Sequence, residues 1–262
     1  MGVEKLRTPL FIIGSPRSGT SILVDLALAA GYSGYREGML LSLLTAISSA
    51  TDRHFDIFAS SQNKEVLVSA IDRDEFKHKL FEVFKSVVEE YNSSTPWFDK
   101  TGNPEMIEAV PIIRMLWPDA IFIFAKRRGI ENVVSRMKKF PVHNFEYHCR
   151  DWARNMAAWR TIRASVPAAQ WCEIDQQDMI QSPEAVVETV MSFTGCNPEH
   201  RERMQLTLRE NRPQQTEAGS ASQLHDIASL DWSDSYVSTF KRLCGDEMLA
   251  YGYTYDRTYR VA

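Results

Sequence analysis

Short, continuously apolar runs alternate along the chain with longer stretches in which apolar residues recur at three- and four-residue spacing. Leu10-Phe11-Ile12-Ile13 and Ala120 to Ala125 (AIFIFA) are runs of the first kind, as expected of parallel strands buried on both faces. Trp97-Phe98 and Trp171 to Ile174 are shorter strand candidates. The second kind predicts helices. The first follows Ser21 and stops at Gly31, a C′ glycine; others span Glu37 to about Ile47 and Asp74 to about Tyr91, the latter with Phe76, Leu80, Phe84, Val87 and Val88 on one face. Glu105 to Leu116 reads as a helix bent by Pro111, and another begins near Gly129. Phe145, Cys149, Trp152, Met156 and Trp159 form a stripe that reads as core packing, while Pro183 to Phe193 and Ser233 to Tyr251 complete the set. The polar segment at about 48–73 has no such period and is expected to be irregular, either an acceptor-side loop or a plain surface connection. Alternating strands and helices over 262 residues predict an α/β fold: one domain, 1–262, with a mainly parallel sheet and helices on both faces.

Composition narrows the ligand more than the fold. A net charge of −4 argues against a nucleic-acid coat or a polybasic membrane binder, so an anionic ligand needs a local cluster of positive groups. Cys149, Cys172, Cys196 and Cys244 are widely spaced and form no C-x-x-C pair, which fits reduced thiols and a cytoplasmic location. No histidine pattern suggests a metal, and none is assigned. The start offers only four consecutive apolar residues before Gly14, too few for a signal peptide or a membrane span. Arg7 stands where a myristoylation signal needs Ser or Thr.

The candidate chemistry begins at Gly14-Ser15-Pro16-Arg17-Ser18-Gly19-Thr20-Ser21. Its glycines have the spacing of a phosphate-binding P-loop, but Thr20 replaces the lysine that would reach the outer phosphates. A glycine-rich turn from strand to helix gathers backbone N–H groups in one concavity, and the helix dipole adds partial positive charge. Arg17 supplies the side-chain charge. A second cluster, Lys126-Arg127-Arg128-Gly129, ends the AIFIFA strand, and Ser135 follows eight positions after Arg127. Ligands of open parallel sheets bind at the carboxyl ends of the strands, so the two clusters suggest a ligand with two separated anionic groups.

Together these residues resemble the sulfotransferases that use 3′-phosphoadenosine 5′-phosphosulfate (PAPS), in pattern nearest to bacterial and glycan or tyrosylprotein-type members. The resemblance implies that Pro16, Arg17, Ser18, Gly19, Thr20 and Ser21 bind the 5′-phosphosulfate, and that Arg127 and Ser135 bind the 3′-phosphate. It extends to Asp99-Lys100-Thr101, similar to the family's D-K-T segment, and to Trp117-Pro118-Asp119-Ala120, similar to F-P-D-A. Glu173 to Ser182 stands in the place of Y-E-D-L, and Cys244 to Tyr253 resembles the closing helix. Arg128-Gly129 departs from the usual Asp-Pro or Asn-Pro, and Gly102 stands where small-molecule members carry a catalytic histidine.

The implied reaction moves the sulfuryl group from PAPS to a hydroxyl or amine of a glycan or small molecule. It needs no metal and leaves 3′,5′-adenosine bisphosphate (PAP). Arg17 and Lys100 would stabilise the leaving phosphate or the sulfuryl oxygens, and Glu37 is the implied general base, with His54, His143 and His148 as rivals. Phe55, Phe58, Phe140, Phe145 and Tyr147 are candidates for an acceptor pocket or for plain packing. Two other readings of the loop stay open: an ATP-dependent phosphotransferase of P-loop ancestry, and a non-catalytic nucleotide-binding regulator.

Overall fold

The computed structural model describes residues 8–58, 66–92, 96–210 and 224–261. Five strands form one all-parallel sheet in the order β2-β3-β1-β4-β5: β1 (Leu10–Gly14), β2 (Ser33–Tyr35), β3 (Trp97–Thr101), β4 (Ile121–Lys126) and β5 (Trp171–Asp175). β1 is central, with Ile12 opposite Lys100 of β3 on one side and Gly14 opposite Ala125 of β4 on the other. Because successive strand residues point to opposite faces, β1 feeds two cores. Phe11 and Ile13 join Phe122 and Phe124 under α4 (Pro104–Glu108), α5 (Val110–Leu116), α6 (Gly129–Lys139), α7 (Phe145–Ile162) and α11 (Asp234–Ala250). Leu10 and Ile12 join Ile123 and Ala125 under α1 (Thr20–Ala29), α8 (Gln176–Gln181), α9 (Pro183–Thr194) and α10 (His200–Glu210). This is the α/β arrangement expected from the alternating pattern, with the P-loop-like turn that the resemblance implied after β1.

Local chemistry sets most element ends. Gly31, at φ +90°, closes α1: its N–H donates to Leu28 O at 3.1 Å and that of Tyr32 to Ala27 O at 3.0 Å, the paired bonds of a Schellman cap. Pro111 lacks the N–H that would bond Ile107, and the predicted helix from Glu105 splits there into α4 and α5. The stripe on α7 is wholly core.

The region after β2 corrects the sequence reading in three places. Residues 36–42 form a loop instead of a helix from Glu37; α2 (Leu43–Phe58) starts later. The supposedly irregular segment 48–73 is helical through Phe58, with a 3₁₀ turn at Leu67–Ala70, and residues 59–65 lie outside those described. In α3 (Arg73–Tyr91), Phe81 and Val88 are buried, whereas Phe76 and Val87 are exposed. That helix meets the core along a stripe rotated from the expected one, since it packs mainly on α2 and α5.

Candidate active site

The loop after β1 is held in a shape that only certain residues permit. A Cβ at Gly14, φ +137°, would overlap the Ala125 carbonyl, so glycine lets β1 end hard against β4. Gly19 takes φ +88° at the N-cap of α1, and Arg17 itself takes φ +73°, a left-handed conformation that costs a side-chain-bearing residue of the order of 1 kcal/mol or more and persists only where neighbours enforce it. Here they do. Asn132 Nδ2 donates to Pro16 O and Ser18 Oγ, both at 3.0 Å, and Arg127 Nη1 donates to Arg17 O at 3.0 Å. Arg17 Nε donates to Ser135 Oγ at 3.0 Å, and Arg136 Nη1 to Ser15 Oγ at 3.3 Å. The Ser18 amide turns inward to Ser15 O at 3.2 Å. Those of Thr20 and Ser21 open α1 with no intrahelical acceptor, and that first turn carries no acidic residue. The result is an anion cradle at the dipole's positive end.

Two guanidinium groups, those of Arg17 and Arg127, face this cradle with no carboxylate paired to them among the described residues. Arg127 is half-buried just past β4, and its Nε has no partner. Burial lowers its pKa, against the opposing pull of Glu131, Tyr259 and Asp175. Burial, then the charge of Arg127, lowers that of Arg17. Both shifts mean that an anion placed between them would be favoured. Arg128 has the opposite fate. Its side chain is 0% exposed, paired with Glu131 across one helical turn, and it donates to the carbonyls of His225, Thr254 and Asp256. It lies 5.0 Å from the Tyr259 ring, whose hydroxyl accepts from the Arg128 amide and donates to Asp175 at 2.6 Å. Of the two neighbouring arginines, Arg128 is thus enclosed by carbonyls and Glu131, while Arg127 keeps an unbonded Nε among the described residues.

One strand over, β3 brings Lys100 to Glu37. The Lys100 side chain is 7% exposed and pairs with Glu37, which is 60% exposed. The Glu37 loop is pinned to the end of β3: Gly38 N–H donates to Lys100 O and Met39 N–H to Thr101 Oγ1, both at 2.9 Å. Any Cβ at Gly38 would overlap the Asp99 carboxylate, and Met39 takes φ +59°. These tertiary ties override the helical pattern of residues 37–42. The following stretch, 38–51, carries no charged residue.

Asp99 lies beneath this loop and accepts from Thr101 Oγ1 at 3.0 Å. Burial pushes its carboxyl up to about 6, with Glu37 adding to the rise and the Thr101 hydroxyl and Lys100 opposing it. A raised folded-state value means that the native state holds the proton more tightly than the unfolded chain. Its stabilising contribution is complete below the unfolded value near 4 and is lost as pH rises through about 6. Relative to Asp99→Asn, the parent protein is expected to lose roughly 2 to 3 kcal/mol between pH 4 and 7, measured by urea unfolding of both proteins.

The histidines contact other groups. His54, exposed on α2, sits 4.7 Å from the Phe58 ring, and His143 stacks on Tyr147 at 4.1 Å. His148 is wholly buried, and burial, then Arg136, lowers its pKa. Of the aromatic candidates, Phe55 packs on Phe76 and Phe145 on Tyr236, while Phe58 and Tyr147 are exposed. All four cysteines are free. No group of metal-binding side chains occurs among the described residues, and none of their helices is long and apolar enough to cross a membrane. Asn132 and Arg136 escaped the sequence reading of the site; the spacing of Asn132, Ser135 and Arg136 on one helix face was the available signal.

Solved structures of known proteins share the fold. The sulfotransferase domain from the Curacin biosynthetic pathway is similar in fold, with 16% identity over 92% of this chain and 97% of that one and a TM-score of 0.53. Sulfotransferase STF9 from Mycobacterium avium gives 14% identity, 94% and 77% coverage and 0.53. Mouse sulfotransferase SULT7A1, complexed with PAP, gives 12%, 95% and 91%, and 0.52. No curated protein matches the chain in sequence. The sequence model of the sulfotransferase family matches residues 9–200, and with the loop, sheet order and strand-end arginine already described, the chain belongs to the sulfotransferase family.

Proposed function

We propose that the chain, as one domain, transfers the sulfuryl group of PAPS to a hydroxyl or amine of a glycan or small-molecule acceptor. The observation that carries this reading is the convergence of Arg17, Arg127 and Ser135 at the adjoining ends of β1 and β4, one strand from the Lys100–Glu37 pair. The partnerless Arg127 Nε and the open amides of α1 fit a ligand with two anionic groups. When bound, PAPS supplies an activated sulfuryl group whose leaving group is a phosphate. Thr20 and Ser21 would donate to that phosphate from the backbone and Arg17 from its side chain, as the resemblance implies for the whole segment from Pro16 to Ser21. Arg127 and Ser135 would hold the 3′-phosphate.

Sulfuryl transfer, like phosphoryl transfer, rests largely on positioning and charge stabilisation. Lys100, nearly enclosed, would offer a positive charge to the reacting group, while Glu37, exposed and on a pinned loop, would accept the acceptor's proton at a carboxylate oxygen. Lys100 donates to that same carboxylate. An incoming acceptor therefore exchanges with, or adds to, a contact already made.

PAP is expected to raise the melting temperature in proportion to the logarithm of its concentration above Kd, and EDTA to leave both that shift and turnover unchanged. Differential scanning fluorimetry with PAP, followed by transfer of labelled sulfate from PAPS to candidate acceptors, checks both. Stabilisation by Mg²⁺-ATP in preference to PAP, or an absolute need for a divalent ion, would replace this reading with the phosphotransferase one. PAP binding without transfer across a broad acceptor panel would support the regulator.

A further inference from the structure

We infer that Asn132 is a positioning residue for the 5′-phosphate side of the nucleotide site, fixing the anion loop through a single amide nitrogen. The inference rests on the reading of that site given above. Asn132 is 0% exposed, on the first turns of α6. Its Nδ2 donates to Pro16 O and to Ser18 Oγ, each at 3.0 Å. Those acceptors flank Arg17, the residue held at φ +73°, so the two bonds clamp the loop on either side of its strained point. A carbonyl such as that of Pro16 can be satisfied only by a donor, which leucine and alanine lack.

Packing alone does not account for an asparagine here. Its Oδ1 is buried without a partner, and an unsatisfied buried acceptor is costly, whereas an apolar residue of the same size would avoid that cost. The gain that offsets it lies in the loop. Asn132, Ser135 and Arg136 stand at i, i+3 and i+4, on one helix face, and they touch residues 16 and 18, 17, and 15 in turn. One face of α6 thereby sets the shape of the loop from Ser15 to Ser18, and Asn132 makes two of its four ties. It touches the loop from behind.

This placement separates Asn132 from the 3′-phosphate residues. Asn132→Leu is expected to weaken PAP and adenosine 5′-phosphate by the same factor, about tenfold or more, the range for losing a buried hydrogen-bonded pair. Adenosine 3′-phosphate should bind within about twofold of the parent value, since Arg127 stays in place. Isothermal titration of the three nucleotides reads the pattern, with the parent protein as the test of the site itself: if the parent binds none of them, the nucleotide-site reading and this inference both fall. With a parent that binds, equal weakening of all three ligands, or of none, overturns the role of Asn132 alone. Asn132→Ser, which keeps one donor, covers the case in which leucine does not fold and is expected to show the same split at smaller size.

Discussion

Glu37→Gln is expected to leave PAP affinity unchanged and to lower turnover by about 10² or more, within the usual range for removing a general base. Glutamine keeps the length and one acceptor for Lys100 Nζ, so the loop, pinned through Gly38 and Met39 and not through the carboxylate, should hold its place. The carboxylate's exposure makes proton acceptance at its oxygen feasible without rearranging the core. Single-turnover measurements with an identified acceptor separate this chemical step from product release. A turnover within about threefold of the parent, well short of a general base's contribution, would pass the role to a histidine. His148 is a poor heir, being wholly buried and made less basic by that burial and by Arg136, so His54 and His143 would be tested first.

Arg127→Ala is expected to weaken PAP by about 1.5 to 3 kcal/mol, the worth of a charged hydrogen-bond partner, which is roughly ten- to 150-fold in Kd. Adenosine 5′-phosphate should change far less. Arg127 also donates to the Arg17 carbonyl, but the loop keeps its ties to Asn132, Ser135 and Arg136, which limits the spread of the change to the 5′ side. Calorimetric titration of both ligands against both proteins decides the matter. Equal weakening of the two would remove Arg127 from the 3′-phosphate.

Much of this architecture was legible in the chain. β1 and β4 could be read because buried parallel strands show as unbroken apolar runs, and β3 and β5 through shorter apolar starts at Trp97-Phe98 and Trp171 to Ile174; β2, Ser33–Tyr35, could not because it is a three-residue edge strand with exposed positions. Helix α10 was missed for a related reason: only Met204 and Leu208 are buried on it, too few for a visible period. The loop residues and Arg127 stood out through glycine spacing and strand-end charge, which are local signals. Glu37 was read as opening a helix and lies instead on a loop, since the bonds that hold residues 37–39 come from Lys100 and Thr101, more than 60 residues away. Likewise nothing in Lys126-Arg127-Arg128 says which arginine is enclosed. That choice is made by carbonyls at positions 225, 254 and 256.

The same enclosure has a consequence for how the protein is made. Chains emerge from the ribosome amino end first and fold by units as they appear, so β1, its loop and α6 are available long before the groups that neutralise Arg128. The Thr254 carbonyl is synthesised 126 residues after that arginine, and Tyr259, which ties the strand end to Asp175, comes later still. Until then Arg128 has Glu131 and, once residue 225 is made, the His225 carbonyl, but not those of Thr254 and Asp256, and a half-satisfied buried charge disfavours the closed state. A nascent chain stalled before Thr254 would therefore carry the loop without two of the carbonyls that enclose Arg128.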